Sequence, residues 1–281
     1  MTKHRVRGFV VLAFVYVSAI AVGIGCYTAL PYAWWVKLLL ADIAATVWTF
    51  IFSIIFKNAS VYDPYWSVQP LVVLFALAIG KPIHLPMVLI LFAVGFWGVR
   101  LTANWAYTFH GLSFQDWRYT MLQETTGGFY PVINFVGIHM VPTLVVYGCV
   151  LPAAAVILFA PGFVPWCLLF FACSVAAALM QMIADWQMQR FRKQKSGGFI
   201  RVGLWKYSRH PNYFGEILMW WGVALFACTL FGFKWYWLIG ATANTCLFFF
   251  VSIPMAERRQ SKKPGFAEYR LQTRVLLPIK L

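Results

Sequence analysis

Acidic side chains are scarce in this chain. Only eight Asp and Glu residues stand against 23 Lys and Arg among 281 residues, so the net charge is +15, and charged residues make up only 11% of the chain. The GxGxxG, P-loop, HExxH and nucleophile-elbow motifs of common soluble enzymes are absent. The five histidines show no metal-ligand spacing and the six cysteines include no CxxC pair. We therefore expect neither a metal site nor a disulfide framework.

Apolar residues, by contrast, account for 62% of the chain. Runs of about 20 apolar residues, long enough to cross a bilayer, recur along the whole length. The sequence therefore predicts an all-α fold, a polytopic membrane helix bundle of seven or eight transmembrane helices in a single domain, 1–281. The first span has no clear cleavage site after it, which favours a retained anchor. The predicted spans are 8–29, 36–56, 68–80, 87–103, 130–158, 163–185, 213–231 and 235–253. The tail from Pro254 is too polar to lie in the membrane, and its apolar residues Phe266, Tyr269, Leu271 and Leu276 could pack it back onto the bundle.

The distribution of basic residues predicts the orientation of the bundle. Only Lys37, Lys81 and Lys234 fall in one set of alternate loops, and the other Lys and Arg residues flank the opposite ends of the spans. With eight crossings, this asymmetry predicts that both termini are cytoplasmic. If the short span 68–80 only dips into the bilayer, the count is seven and the N-terminus changes side.

The basic residues are dispersed among these loops and form no recognisable nucleic-acid fold. We therefore expect anionic lipid headgroups and a phosphorylated cofactor as partners, with no nucleic acid. A monomer is the expected state.

A charged and hydrogen-bonding octapeptide precedes the seventh predicted span. Such groups are costly at a membrane boundary, so their presence favours a binding site over a plain positive-inside anchor. Pro211 suits the first turn of a helix, and Asn212 and Glu216, four residues apart, share one helical face. The octapeptide is Arg209-His210-Pro211-Asn212-Tyr213-Phe214-Gly215-Glu216.

Several of the few carboxylates lie in or beside the spans, where they usually face a polar cavity, a partner charge or a substrate. Asp42 lies within the second span, and Asp185 lies at the end of the sixth. Asp185 precedes Arg192 by two helical turns, so both could face one cavity, and Gln181 extends the polar stripe. A simple ion pair between Asp185 and Arg209 is the alternative.

A second polar patch follows the second span and contains Tyr62, Asp63 and Tyr65. Tyrosine is common in interfacial belts, so a single aromatic residue here is more often an anchor than a catalyst. Arg100 and Asn104, at the end of the fourth span, share a helical face.

The last third of the chain resembles the membrane steroid 5α-reductase and sterol reductase superfamily, and most of all a bacterial branch with the same reductase C-terminal domain. The resemblance implies NADPH bound in the cytoplasm-facing half of the bundle, and reduction of a carbon–carbon double bond in a lipophilic enone of steroid or isoprenoid type. It also implies a location in the bacterial inner membrane. The matching residues are Gln181, Asp185, Arg192, Gly203-Leu204-Trp205, Tyr207 to Glu216, Glu257-Arg258, Phe266 and Tyr269.

In this family comparison, Asp185, Arg192, Asn212 and Glu216 match cofactor-contacting positions. Basic side chains there would supply what a 2′-phosphate and a pyrophosphate need. Residues 130–281 would form the cofactor-binding part, and 1–129 the substrate side. The full set that we expect around NADPH is Arg100, Asn104, Gln181, Asp185, Arg192, Tyr207, Arg209, His210, Asn212, Tyr213, Glu216, Arg258 and Tyr269.

The substrate end departs from the family pattern. Steroid 5α-reductases hold the substrate ketone with a glutamate and a tyrosine in earlier spans, whereas a rough alignment places Trp97 at the tyrosine position and finds no early glutamate. Asp63, with Tyr62 or Tyr65, is the polar substitute, and these three are our candidate catalytic residues.

Two other function classes remain open. Membrane isoprenylcysteine and phospholipid methyltransferases share an Arg-His-Pro-x-Tyr element and a tail with Glu and Tyr, and bind S-adenosylmethionine with them; Glu257 and Tyr269 fit that tail. A transporter would carry polar residues near the bilayer midplane and often repeated halves. Asp42 is the main deep polar residue here, which argues against transport.

Overall fold

The computed structural model describes residues 3–194 and 198–277; residues 195–197, in the predicted basic loop, lie outside this range. The described part is helical and has no β-strand, which confirms the all-α class. Its α-helices are α1 (Lys3–Ala29), α2 (Trp34–Ile55), α3 (Tyr65–Ala78), α4 (Leu85–Thr108), α5 (Trp117–Thr126), α6 (Tyr130–Val132), α7 (Val141–Phe159), α8 (Cys167–Lys193), α9 (Pro211–Phe231), α10 (Ile239–Leu247), α11 (Ile253–Gln260) and α12 (Phe266–Gln272).

Seven helical segments of the described chain are long and apolar enough to cross a membrane, which confirms a polytopic membrane bundle. Large apolar side chains such as Phe14 and Phe250 are 63% and 78% exposed, a surface suited to contact with membrane lipids. The seven segments are Lys3–Ala29, Trp34–Ile55, Leu85–Thr108, Trp117–Phe159, Cys167–Lys193, Pro211–Phe231 and Trp235–Gln260.

The predicted span 68–80 corresponds to α3, which has 14 residues. At 1.5 Å per residue α3 is about 21 Å long, shorter than a hydrocarbon core of about 30 Å. In the sequence α3 connects α2 to α4, and it contains Pro70. The Arg5 guanidinium donates to the Ala106 carbonyl over 2.7 Å, so α1 begins beside the end of α4.

Two spans contain π-helical turns. The segment Trp117–Phe159 joins α5, α6 and α7 through a π-helical turn at Ile133–Met140. In the last span, Pro254 was expected to begin a polar tail, but the helix continues to Gln260. A π-helical turn at Phe248–Ser252 precedes Pro254 and shifts the hydrogen-bond pattern, so the missing N–H of proline falls in the first turn of α11 and breaks nothing.

Small residues set the close packing of α8 against α9. A Cβ added to Gly215 would lie 2.7 Å from the Ala177 carbonyl oxygen and nearer still to the Gln181 side chain. A Cβ at Gly222 would meet the Ser174 hydroxyl. Small residues of this kind let membrane helices approach closely. The contact holds the first turn of α9 beside the last turns of α8.

The segment after α11 packs back onto the bundle. Phe266, Tyr269 and Leu276 are buried, as predicted, whereas Leu271 is 82% exposed. The backbone N–H of Arg209 donates to the Arg274 carbonyl over 2.9 Å, next to an isolated parallel bridge. Residues 265–277 therefore close over the start of α9.

Candidate functional site

A cavity of about 690 Å³ lies where α4 and α8 end and α9 begins. Its walls come from these helices, from the loop before α5, and from α11 and α12. The volume falls within the range of about 300–1,000 Å³ that is typical of small-molecule sites. Among the residues predicted to bind a cofactor, those that line the cavity are Asn104, Asp185, Arg192, Arg209, His210, Asn212, Tyr213 and Tyr269.

The other five predicted cofactor-binding residues lie elsewhere. Arg100 and Glu216 are buried beneath the cavity, and Gln181 is buried in the seam between α8 and α9. Tyr207 is 40% exposed and Arg258 is also exposed, and neither is part of the cavity wall.

The floor of the cavity is a buried ionic cluster. Arg100 Nη1 lies 3.0 Å from Asp185 Oδ2, and Arg100 Nη2 lies 3.7 Å from Glu216 Oε2. The indole N–H groups of Trp97 and Trp220 each donate to Glu216 over 2.8 Å, one to each carboxylate oxygen. Glu216 is one helical turn below Asn212, so its carboxylate lies under the cavity and is held by three neighbours.

Amides and a carboxylate form the wall directly above this floor. Asn104 Nδ2 donates to Asp185 Oδ2 over 3.2 Å, and the amide of Gln189 donates to Asn104 Oδ1. The side-chain oxygen of Asn212 is buried and has no hydrogen-bond partner among the described residues. The guanidinium Nη2 of Arg100 likewise lacks a hydrogen bond. Asn212 therefore offers a free acceptor in the cavity wall, whereas Arg100 Nη2 lies beneath the wall and faces Glu216 Oε2 at 3.7 Å.

Arg209 fastens the C-terminal segment to the mouth of the cavity. Its Nε donates to Glu257 over 2.9 Å, and its Nη1 donates to the carbonyls of Arg270, at 2.9 Å, and Thr273. His210 Nε2 lies 2.9 Å from the same Glu257 oxygen. The sequence left open a pair between Asp185 and Arg209, but Asp185 pairs with Arg100 and Arg209 pairs with Glu257.

Three other cations line the cavity. Arg192, Arg259 and Lys263 form no ion pair within the described ranges. The Arg259 guanidinium lies over the Trp117 ring, 4.2 Å from its centroid. Burial lowers the pKa of Lys263, and the charges of Arg259 and Arg192 lower it further. The charge of Arg192 acts on Asp185 and that of Arg259 on Asp116, both in the same wall, but neither cation is neutralised by an ion pair among the described residues. Three neighbouring cations of this kind have the charge that a bound polyanion needs.

The three candidate catalytic residues lie outside this cavity and point to different partners. Tyr119 donates its hydroxyl proton to Asp63 over 2.6 Å, and burial raises the pKa of Asp63 to about 6. The Tyr62 hydroxyl lies 2.8 Å from that of Thr143. Tyr65 donates to Asp42 over 2.8 Å and lines a second cavity.

Sequence reasoning missed most of the other lining residues, among them the polar residues Gln189, Arg259 and Lys263. Gln189 follows Asp185 by one helical turn, so the same-face spacing that links Asp185 to Arg192 could have included it. Arg259 and Lys263 were treated only as part of a polar tail. The apolar residues of that tail indicated that it packs back onto the bundle, but no pattern in the sequence shows that it does so at the cavity.

The comparisons with known proteins identify the family. A family model described as "Protein of unknown function (DUF1295)" matches residues 49–273, which is most of the chain. No curated protein matches the chain. No solved structure matches it either. The matched range includes all the residues of the ionic floor and the three unpaired cations. The chain therefore belongs to the DUF1295 family, which is part of the steroid 5-alpha reductase-like superfamily.

Proposed function

We propose that this protein is an NADPH-dependent reductase of a carbon–carbon double bond in a lipophilic substrate of steroid or isoprenoid type. The proposal places it in the bacterial inner membrane, with the large cavity facing the cytoplasm. Membership of the superfamily supports the reaction class, and the cavity supports the cofactor.

The observation that carries the proposal is the set of three cations at the cavity, Arg192, Arg259 and Lys263. NADPH brings a 2′-phosphate and a pyrophosphate, and guanidinium and ammonium groups are the side chains that bind phosphate best. A plain lipid-anchoring role needs no cavity, whereas all three of these basic residues line one of about 690 Å³, at whose mouth Arg192 and Arg259 are exposed.

The floor suits the other end of such a cofactor. Asn212 Oδ1 is a buried acceptor with no hydrogen-bond partner among the described residues. The N–H₂ group of a carboxamide would supply the donor that it lacks. When bound, NADPH supplies the hydride. Trp97 and Trp220 pack beneath the site and exclude water from that side.

Nucleotide-dependent thermal stabilisation of the purified protein tests the proposal, because a ligand that binds only the folded state raises the melting temperature. We expect NADPH to stabilise the protein more than NADH does. Replacing Arg259 by Gln should lower the affinity for NADPH by about tenfold or more, the value of one charge-assisted hydrogen bond. Arg258→Gln is the matched control, because Arg258 is the adjacent arginine and is not part of the cavity wall. Stabilisation by neither nucleotide would refute the proposal.

One observation favours a second candidate, an S-adenosylmethionine-dependent methyltransferase. Arg209, His210 and Glu257 converge at the cavity, and Tyr269 lines the same wall. Arg209 and His210 belong to the Arg-His-Pro-x-Tyr element that resembles these methyltransferases, and Glu257 and Tyr269 match their tail. Stabilisation by S-adenosylhomocysteine, together with no response to NADPH, would favour this reading over the reductase.

A further inference from the structure

A second cavity, of about 290 Å³, lies between α1, α2 and α3. It shares no lining residue with the large cavity. Ile24 belongs to its wall and is 53% exposed, so this α1–α3 cavity reaches the lipid-facing surface of the bundle. Most of its wall is apolar, for example Ala19, Gly23, Leu38, Val72 and Ala76.

Five residues of this wall carry polar side-chain atoms, Tyr16, Tyr27, Asp42, Tyr65 and Gln69, and the last three are joined by hydrogen bonds. Asp42, on α2, is only 5% exposed. Tyr65 donates to Asp42 Oδ1 over 2.8 Å, and Gln69 Nε2 donates to Asp42 Oδ2 over 3.1 Å. Within the described chain no basic side chain lies at ion-pair distance from Asp42. A carboxyl group in a membrane span without a counter-ion is costly and usually marks a functional site.

The cluster is short of hydrogen-bond donors. The side-chain oxygen of Gln69 is buried and has no hydrogen-bond partner in the part of the chain that the structure describes. Each carboxylate oxygen of Asp42 accepts one side-chain hydrogen bond and can accept another. The hydroxyl proton of Tyr65 is already used on Asp42. A buried acceptor left unpaired destabilises the protein, so a ligand that donates a proton would be bound more tightly than one that only accepts.

We propose that the α1–α3 cavity binds a lipophilic alcohol, whose hydroxyl group donates to Gln69 or Asp42 and whose hydrocarbon body lies against the apolar wall. A hydroxyl group costs less to bring from the bilayer than an ammonium group does. The volume is at the low end for ligand sites, which suits a small isoprenoid alcohol and not a phospholipid. The ketone of an enone accepts only, so this site is separate from the proposed reaction and does not depend on it.

Binding of four compounds with one geranyl skeleton tests this inference in the full-length protein in detergent. The four are geraniol, the aldehyde geranial, geranyl methyl ether and geranylamine. We expect saturable binding of geraniol, with at least about tenfold weaker binding of the aldehyde and the ether, because each lacks the O–H donor. Equal binding of the alcohol and the ether, or binding of the amine alone, would overturn the proposal.

The helix α1 offers a matched pair of variants. Gly23 lines the cavity, and a Cβ added there would meet its nearest neighbours at an ordinary contact distance of 3.6 Å or more. Gly25 lies outside the cavity, and a Cβ added there would meet no described atom within 4 Å. Gly23→Leu should fill the space and abolish geraniol binding, whereas Gly25→Leu should leave it unchanged.

A polar variant and the nucleotide response complete the test. Gln69→Leu should remove most of the preference for the alcohol over the ether; a preference that persists would count against the role given to Gln69. Stabilisation by NADPH should be the same in Gly23→Leu as in the unmodified protein, so a failure at this cavity can be told from a failure of the reductase proposal.

Discussion

The two tryptophans that clamp Glu216 allow a quantitative test of the cavity floor. Trp97 is fully buried and Glu216 is 4% exposed, and they share a hydrogen bond of 2.8 Å. Trp97→Phe keeps an aromatic ring but removes the donor. A hydrogen bond to a buried charged group contributes about 1.5–3 kcal/mol. At about 2 °C per kcal/mol for a chain of this size, the melting temperature should fall by roughly 3–6 °C.

The same substitution should behave differently when residue 216 is an amide. In Glu216→Gln, the single amide oxygen occupies the place of only one carboxylate oxygen, so it accepts from one indole while the amide N–H₂ faces the N–H of the other. Two donors then face each other. Trp97→Phe removes one of these donors, so in the Glu216→Gln background this substitution should cost no hydrogen-bond energy. The double-mutant cycle should therefore show a coupling energy of about 1.5–3 kcal/mol, with the loss of ring volume cancelling between the two backgrounds.

Heating in detergent with a thiol-reactive dye would measure both legs of the cycle. Cys149 and Cys167 are 3% and 0% exposed and become reactive only on unfolding, so their signal is read as the rise above the one that the exposed Cys246 gives in the folded state. Trp166→Phe is the control, because Trp166 is 70% exposed. If Trp97→Phe lowers the melting temperature equally in both backgrounds, the indole–carboxylate bond contributes nothing and the account of the floor is wrong.

Three more outcomes follow from the contacts. Arg209→Lys keeps the charge but loses the fork that holds the C-terminal segment, so limited trypsin digestion should cleave that segment faster; an unchanged rate would refute this role. Gly215→Ala should destabilise the seam between α8 and α9 by about 1–3 kcal/mol, and Gly25→Ala, which meets open space, should not. Burial raises the pKa of Asp63 from 3.8 to about 6. The folded state therefore binds more protons there, and stability should fall as pH rises from about 4 to about 6; Asp63→Asn should flatten that part of the profile.

Much of the helix layout could be predicted because bilayer thickness limits the length of each span. The spans 36–56 and 213–231 fall within two residues of α2 and α9. The last predicted span, 235–253, corresponds to a helical segment that continues past Pro254 to Gln260. Whether a π-helical turn precedes Pro254 depends on packing against neighbouring helices, and no local pattern records it.

For the site, helical spacing brought Asp185 and Arg192 to one cavity, as expected from two turns of separation. Spacing gives a shared face but not depth. Asn212 and Glu216 share a face, yet one helical turn of about 5.4 Å along the axis separates the Glu216 carboxylate from the Asn212 amide. This displacement places the carboxylate below the cavity. The ion-pair partner of Asp185 could not be predicted from the sequence either. Asp185 pairs with Arg100, 85 positions away, because α4 packs on α8.

The fold-back of residues 265–277 over the start of α9 has a consequence for biosynthesis. Helices that line the large cavity emerge from the ribosome over more than half of translation, but the wall that includes Phe266 and Tyr269 arrives last. If the cavity binds the proposed nucleotide, its site is complete only after residues 265–277 have been made and have docked on α9. A bound nucleotide would then report that this wall is in place.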